Sequence, residues 1–237
     1  MASGQKPFYA LLGVIIVAGG VFLWTRASGP ANISMAANVV VTAADTTGFR
    51  GYLLGAADAP VEVTEYGDLE CPICASYNTM QFSDIKLRLV DAGKIRLRYR
   101  DYPIDGAHRH PRVAAHALAC SNDQGHSWDV IEKMFETQAE WALSSNAMPA
   151  LTDIVKGFGV NVDTWMECMQ SKKYQGRIQA SLNEGTALGV GGTPTFLIAG
   201  KLYDNRFGSD QMVKLVDSLI AAAPRPAATA TKTTGGQ

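Results

Sequence analysis

Two cysteines stand three positions apart in the stretch EYGDLECPICASYN, Cys71 and Cys74, with Pro72 and Ile73 between them. Such a pair can hold half of a metal site, close a local disulfide, or exchange disulfides with other thiols. A structural zinc site takes four ligands, and the remaining cysteines, Cys120 and Cys168, fall singly on separate predicted helices. The histidines do not complete one. His108 and His110 in HRHP precede a helix, where capping and surface roles are commoner; His116, four residues before Cys120, reads as packing, and His126 as a turn residue. No metal site is expected. A purely structural Cys71–Cys74 bond is disfavoured as well, because so small a loop removes little freedom from the unfolded chain. Exchange chemistry remains: Cys71 attacks or is attacked, and Cys74 resolves the mixed disulfide.

That chemistry needs a helix start beneath Cys71. APVEVTEYGD alternates as a strand, with Val61, Val63 and Glu65 on one face. Beyond Cys71 the period turns helical, with Phe82, Ile85 and Leu89 in a stripe and Gly93 placed to end it. Cys71 thus sits where strand gives way to helix, where free backbone N–H groups favour a thiolate and Pro72 suits the first turn. Glu65, beneath the pair, is expected to be a buried acid that carries the proton of Cys74; an exposed strand glutamate is the alternative.

KIRLRYRDYP reads as a second strand whose Arg96, Arg98 and Arg100 form a solvated face. Helices follow from Pro111 to about 188, with Ser127 and Asp163 as candidate caps. TPTFLIAGKLY is then a strand, a tight Ala199-Gly200 turn and a short partner strand, and Ser209 is placed to cap a last helix bearing Met212, Leu215, Val216 and Leu219. The order is β-α-β, helices, β-β-α.

A chain of 237 residues that is 47% hydrophobic supplies a single core of ordinary size. Its formal charge of −1 and pI near 6.4 give no footprint for nucleic acid. From Phe8 to Trp24 runs FYALLGVIIVAGGVFLW, uncharged and flanked by Lys6 and Arg26. As a helix it covers roughly 26 Å of a hydrocarbon layer of about 30 Å. Residues 1–26 are therefore expected to be a transmembrane or signal-anchor helix, with cleavage at the small residues Ser34 and Ala36 as the alternative. Either way the body leaves the cytoplasm. Residues 27–46 read as a linker, 47–222 as the domain, and 223–237 as a disordered tail.

LLGAADAPVEVTEYGDLECPICASY, HPRVAAHALACSNDQGHSWDVIEKMF and GVGGTPTFLIAGKLY together resemble the DsbA-like branch of the thioredoxin superfamily, the thiol:disulfide oxidoreductases of the bacterial envelope. The resemblance spans roughly residues 48–222. It implies an α/β thioredoxin-like fold with a helical insertion over about 106–188, Cys71 as nucleophile, Cys74 as resolving thiol, and a cis Pro194, preceded by Thr193, opposite them. Pro72, Ile73, Thr193 and Pro194 then border the bound peptide. The best-known oxidases carry histidine where this chain has Ile73, so oxidising strength is open.

With the active pair intact, Cys120 and Cys168 remain to bridge, two buried free thiols being the alternative. The expected activity is an anchored oxidase that needs no cofactor beyond its own disulfide. It would act on newly exported cysteine-containing proteins and be reoxidised by a membrane partner. An envelope reductase or isomerase, or a chaperone-like peptide holder, is the alternative.

Overall fold

The computed structural model describes residue 9, residues 11–20 and residues 32–223. Residues 11–20 are helical, with Leu11, Val14, Ile15, Ile16 and Val17 exposed. The rest of the expected anchor over 1–26 lies outside the described residues, as do residues 224–237 of the expected tail. Among the described residues, no helix is long and apolar enough to cross a membrane.

A five-stranded mixed sheet carries the site, in the order β1 (Tyr52–Leu54), β3 (Ile95–Asp101), β2 (Val61–Gly67), β4 (Thr195–Ile198), β5 (Lys201–Tyr203). β2 and β3 run parallel, Glu65 opposite Tyr99, and the other pairings are antiparallel. The parallel pair requires a crossover. It is supplied by a helical run that starts as α2 (Pro72–Tyr77) and continues through a π-type turn (Asn78–Phe82), Ser83–Ile85 and a second π-type turn (Lys86–Val90). Its Phe82, Ile85 and Leu89 are buried as their spacing predicts, and Gly93, at φ 68°, follows its end. The turn at Ala199 and Gly200 has positive φ at both residues, as a two-residue hairpin joining β4 to β5 requires.

The helical insertion comprises α3 (Pro111–Asn122), α4 (Ser127–Glu136), α5 (Gln138–Trp141), α6 (Met148–Gly157), α7 (Val162–Ser171) and α8 (Gln175–Ala187); α9 (Ser209–Ala222) closes the chain and packs on β2. Trp141 and Trp165 are fully buried within the insertion, and the Trp165 indole N–H donates to Ala117 O at 3.0 Å. Pro111 is the first residue of α3, as expected.

Four expectations need correction. Ser127 and Ser209 are the first residues of their helices rather than caps, and α7 is capped by Asn161, whose side chain accepts from the Thr164 N–H at 3.0 Å, not by Asp163. The arginine stripe on β3 is not solvated. The helix α8 covers that face and sets Glu184 between Arg98 and Arg100, and Arg98 also donates to Thr64 Oγ1 at 2.8 Å. Periodicity assigned the arginines to one face but carried no information on what lies over it.

β1 was not expected, being only three residues long. Finally, residues 32–46 pack on the domain instead of forming a tether: Ile33 is buried, the Ala36 N–H donates to Gln175 Oε1 at 3.1 Å, and a short helix α1 (Ala43–Thr46) begins at Thr42, which Asp45 ties back at 2.7 Å.

Candidate active site

β2 delivers the chain to Cys71 through the turn Asp68–Leu69–Glu70. The Cys71 N–H donates to Asp68 O at 3.0 Å, its backbone is extended at φ −71° and ψ 120°, and its carbonyl accepts the first helical bond from Ala75 at 3.1 Å. Pro72 occupies the first helical position. Cys71 is therefore the residue from which the helix departs, and Cys74 lies one turn in, beneath it. Both are free thiols.

Cys71 is buried like Cys74, 5% exposed against 0%, so burial grades the pair less than their charge does. A hydrogen bond from the Cys74 thiol holds Cys71 down at about 5, against the opposing effect of burial, with a further bond to Thr193 helping. Cys74 moves the other way, raised first by burial and then by the hydrogen bond and charge of Cys71 and the charge of Glu65. One sulfur is built to ionise and its neighbour to keep its proton.

The Thr193–Pro194 bond is cis, and Cys71 Sγ lies 3.6 Å from Thr193 O. The loop before β4 thus faces the nucleophile directly. Glu65 is buried as its strand face predicts, and burial pushes its carboxyl up to about 7. Its charge raises the Cys74 thiol, so the carboxyl lies within electrostatic reach of that sulfur.

Two clefts meet at Pro72. One, of about 350 Å³, is lined by Pro72, Ile73, Tyr77 and Met80 with Asn205 and Arg206; Ile73 is 50% exposed there. The other, of about 450 Å³, is lined by Glu70, Pro72, His108, Gln138, Ala142 and Leu143.

Several of these residues escaped the sequence. The Gln138 side chain reaches from α5 to donate to Leu69 O at 2.7 Å and Cys71 O at 3.0 Å. Asp68 accepts from the N–H groups of Glu70 and Ile104 and meets His108 Nδ1 at 2.7 Å, and Glu70 accepts from the His110 N–H. The available signal was two acids within three residues of a nucleophile at a strand end, since acids buried there must find donors. Cys120 and Cys168 form the expected bridge, between α3 and α7, and His116 packs fully buried beside it. Among the described residues, no cluster of three or more histidine, cysteine or acidic side chains could hold a metal.

Residues 49–218 match the family described as Thioredoxin. The chain belongs to the thioredoxin family. Within it, the chain is similar to the probable disulfide bond formation protein D of Bacillus anthracis, 26% identical over 166 residues, which are 69% of this chain and 76% of that protein. It is also similar to the Na(+)/H(+) antiporter NhaA 1 of Salinispora arenicola, 28% identical over 173 residues, 73% of this chain. The chain spans only 25% of that antiporter's length. Among solved structures, Chlamydia trachomatis DsbA superposes with a TM-score of 0.65 at 18% identity, covering 77% of this chain and 98% of that one. The fold is that of the DsbA-like members.

Proposed function

We propose that this thioredoxin-family chain is a protein thiol:disulfide oxidoreductase acting outside the cytoplasm as an oxidase, donating the Cys71–Cys74 disulfide to exported cysteine-containing proteins. The observation that carries this reading is the opposed ionisation of the two sulfurs, Cys71 held at about 5 and Cys74 raised, beside a cis Pro194. A thiolate that is stable when reduced makes its disulfide a stronger oxidant.

The steps follow from that asymmetry. A substrate thiolate attacks Cys71 Sγ; the Cys71–Cys74 bond breaks, and Cys74 leaves with the electron pair. Protonated Glu65 beneath it gives up its proton to the departing sulfur, the carboxyl being poised near neutrality. A second substrate thiolate then attacks the substrate sulfur of the mixed disulfide, and Cys71 leaves as a stable thiolate. The substrate has lost two electrons and the enzyme has gained them. Pro72, Ile73 and the Thr193 backbone border the path by which an extended peptide would add alongside Pro194.

The apolar run at 8–24 supports tethering to the membrane, where a redox partner would reoxidise the pair. Similarity to the disulfide bond formation protein D of Bacillus anthracis supports the same reading. Equilibration of the pair with a glutathione buffer tests it. A reduction potential above roughly −200 mV is expected for an oxidase, and one well below it makes the protein a reductase.

A further inference from the structure

Three carboxylates crowd the approach to Cys71. Glu65, Asp68 and Glu70 all precede it closely on the chain, and all are buried. A thiolate at Cys71 adds a further negative charge to a poorly hydrated turn already rich in acids, which Coulomb repulsion opposes. Pro72 and Ile73 bring no compensating charge.

The compensating group comes from the loop between β3 and α3. His108 Nδ1 is 2.7 Å from Asp68 Oδ2, within a carboxylate whose side chain is wholly buried and already fixed by the N–H groups of Glu70 and Ile104. The ring keeps partial access to solvent and lines the 450 Å³ cleft together with Glu70 and Pro72. Those two are the chain neighbours of Cys71, so the imidazole borders the nucleophile's own turn.

We infer that His108, held as an imidazolium by Asp68, is the cation that stabilises the Cys71 thiolate and so raises the oxidising power of the pair. The inference rests on the oxidoreductase reading above. The Asp68 hydrogen bond raises the His108 pKa; burial works against it, and the charges of Asp68, Cys71 and Glu70 add to the rise. The groups around the ring agree in sign. Asp68 and Glu70 face it from the turn and Cys71 from the helix start, while Gln138 on α5 is neutral. Arg109, its neighbour on the loop, is a second cation lining the same cleft, but it is exposed to solvent and makes no contact with Asp68, and the Arg112 guanidinium is drawn away onto Asp105 at 2.8 Å. When a substrate dithiol gives up two electrons and two protons, one proton goes to Cys74 and one to solvent, and Cys71 remains a thiolate beside the ring.

Coupling of this kind is reciprocal. In the full-length wild type, an NMR titration of the His108 ring is expected to give a higher midpoint in the dithiol form than in the disulfide form; equal midpoints overturn the proposal. His108→Gln is expected to raise the Cys71 midpoint, read by thiolate absorbance, and to shift the glutathione equilibrium roughly fivefold toward the disulfide. His108→Lys, which keeps a cation, is expected to restore most of that shift. A Gln variant with an unchanged Cys71 midpoint, or a Lys variant as impaired as the Gln variant, overturns the proposal. Failure of the oxidoreductase reading looks different, because Cys71 in the wild type would then show no thiolate near neutrality.

Discussion

Two cysteine pairs share this chain in opposite surroundings. Cys71 and Cys74 are free thiols at the start of a helix, beside open clefts and titratable groups on every side. Cys120 and Cys168 are bonded across 48 residues of sequence, between two helices of the insertion. The second pair also has a histidine, but one that cannot supply charge. His116 Nε2 accepts from the Tyr174 N–H at 3.2 Å, which leaves the ring hydrogen on Nδ1, 3.4 Å from Cys120 Sγ and 3.3 Å from Met169 Sδ. Burial holds its pKa down to about 4, the opposite direction from His108, whose pKa the Asp68 hydrogen bond raises. What separates the two pairs is the means to charge and discharge their sulfurs.

The largest expected effect is at the first pair. Cys71→Ser should abolish disulfide exchange, a loss of three orders of magnitude or more by analogy with removal of other covalent nucleophiles (~10³ and upward). Cys74→Ser should instead accumulate mixed disulfides through Cys71, visible on non-reducing gels. Trapping by the Cys71→Ser protein would reverse the assignment.

The second pair should behave in the opposite way. Replacing Cys120 and Cys168 by alanine opens a 48-residue loop and is expected to cost roughly 4 kcal/mol in denaturant unfolding on the chain-entropy account. Exchange by Cys71 should survive in the folded fraction. Loss of exchange without loss of stability would mean that the two pairs are not separate devices.

The sequence revealed the first pair more readily than its surroundings. Two cysteines three apart, after an alternating strand and before a helical stripe, define both a chemistry and a position, since both signals are local. Burial of Glu65 followed from the same period. Asp68, Glu70 and Gln138 were silent, and His108 was read only as a capping or surface residue, because their roles depend on partners 40 or more residues away: Asp68 with His108, Glu70 with His110, Gln138 with Leu69 and Cys71. Arg98 and Arg100 were misread for the same reason, their cover arriving 84 or more residues later with Glu184. The helix starts at Ser127, Asp163 and Ser209 were placed to within two residues, but the capping atom was not. Polar residues cluster at such ends, and the entry angle of the chain decides which of them turns back.

Glu65 gives a prediction of intermediate size. Its folded pKa, about 7, lies above the ordinary 4.5, so protonation favours the folded state: the contribution is fully present below 4.5 and lost as pH rises through 7. Glu65→Gln should therefore gain stability relative to wild type between pH 4.5 and 8, by an amount on the order of 3 kcal/mol. Formation of the mixed disulfide, and its breakdown by return attack of Cys74, should meanwhile slow by roughly 100-fold and lose their dependence on pH near neutrality. A variant that resolves as fast as wild type from pH 5 to 8 removes Glu65 from the proton path, whatever its effect on stability.

The smallest effect tests how separate the two regions are, because Gln138 is a polar link between them. It belongs to the insertion that holds the second pair, yet it donates to carbonyls on both sides of Glu70. Cys71 O has a second donor in the Ala75 N–H, so losing Gln138 leaves it partnered and the helix start intact. Leu69 O is the acceptor more exposed to the loss. Gln138→Leu keeps a side chain of similar size and removes both bonds, at an expected cost of about 1–2 kcal/mol. Because the bonds fix the turn rather than the sulfurs, the Cys71 midpoint should hold while amide hydrogen exchange over residues 69–75 accelerates. Disulfide transfer should then fall only a few-fold, in proportion to the time the turn spends out of register. Unchanged amide protection across 69–75 would show that the insertion covers the active site without positioning it.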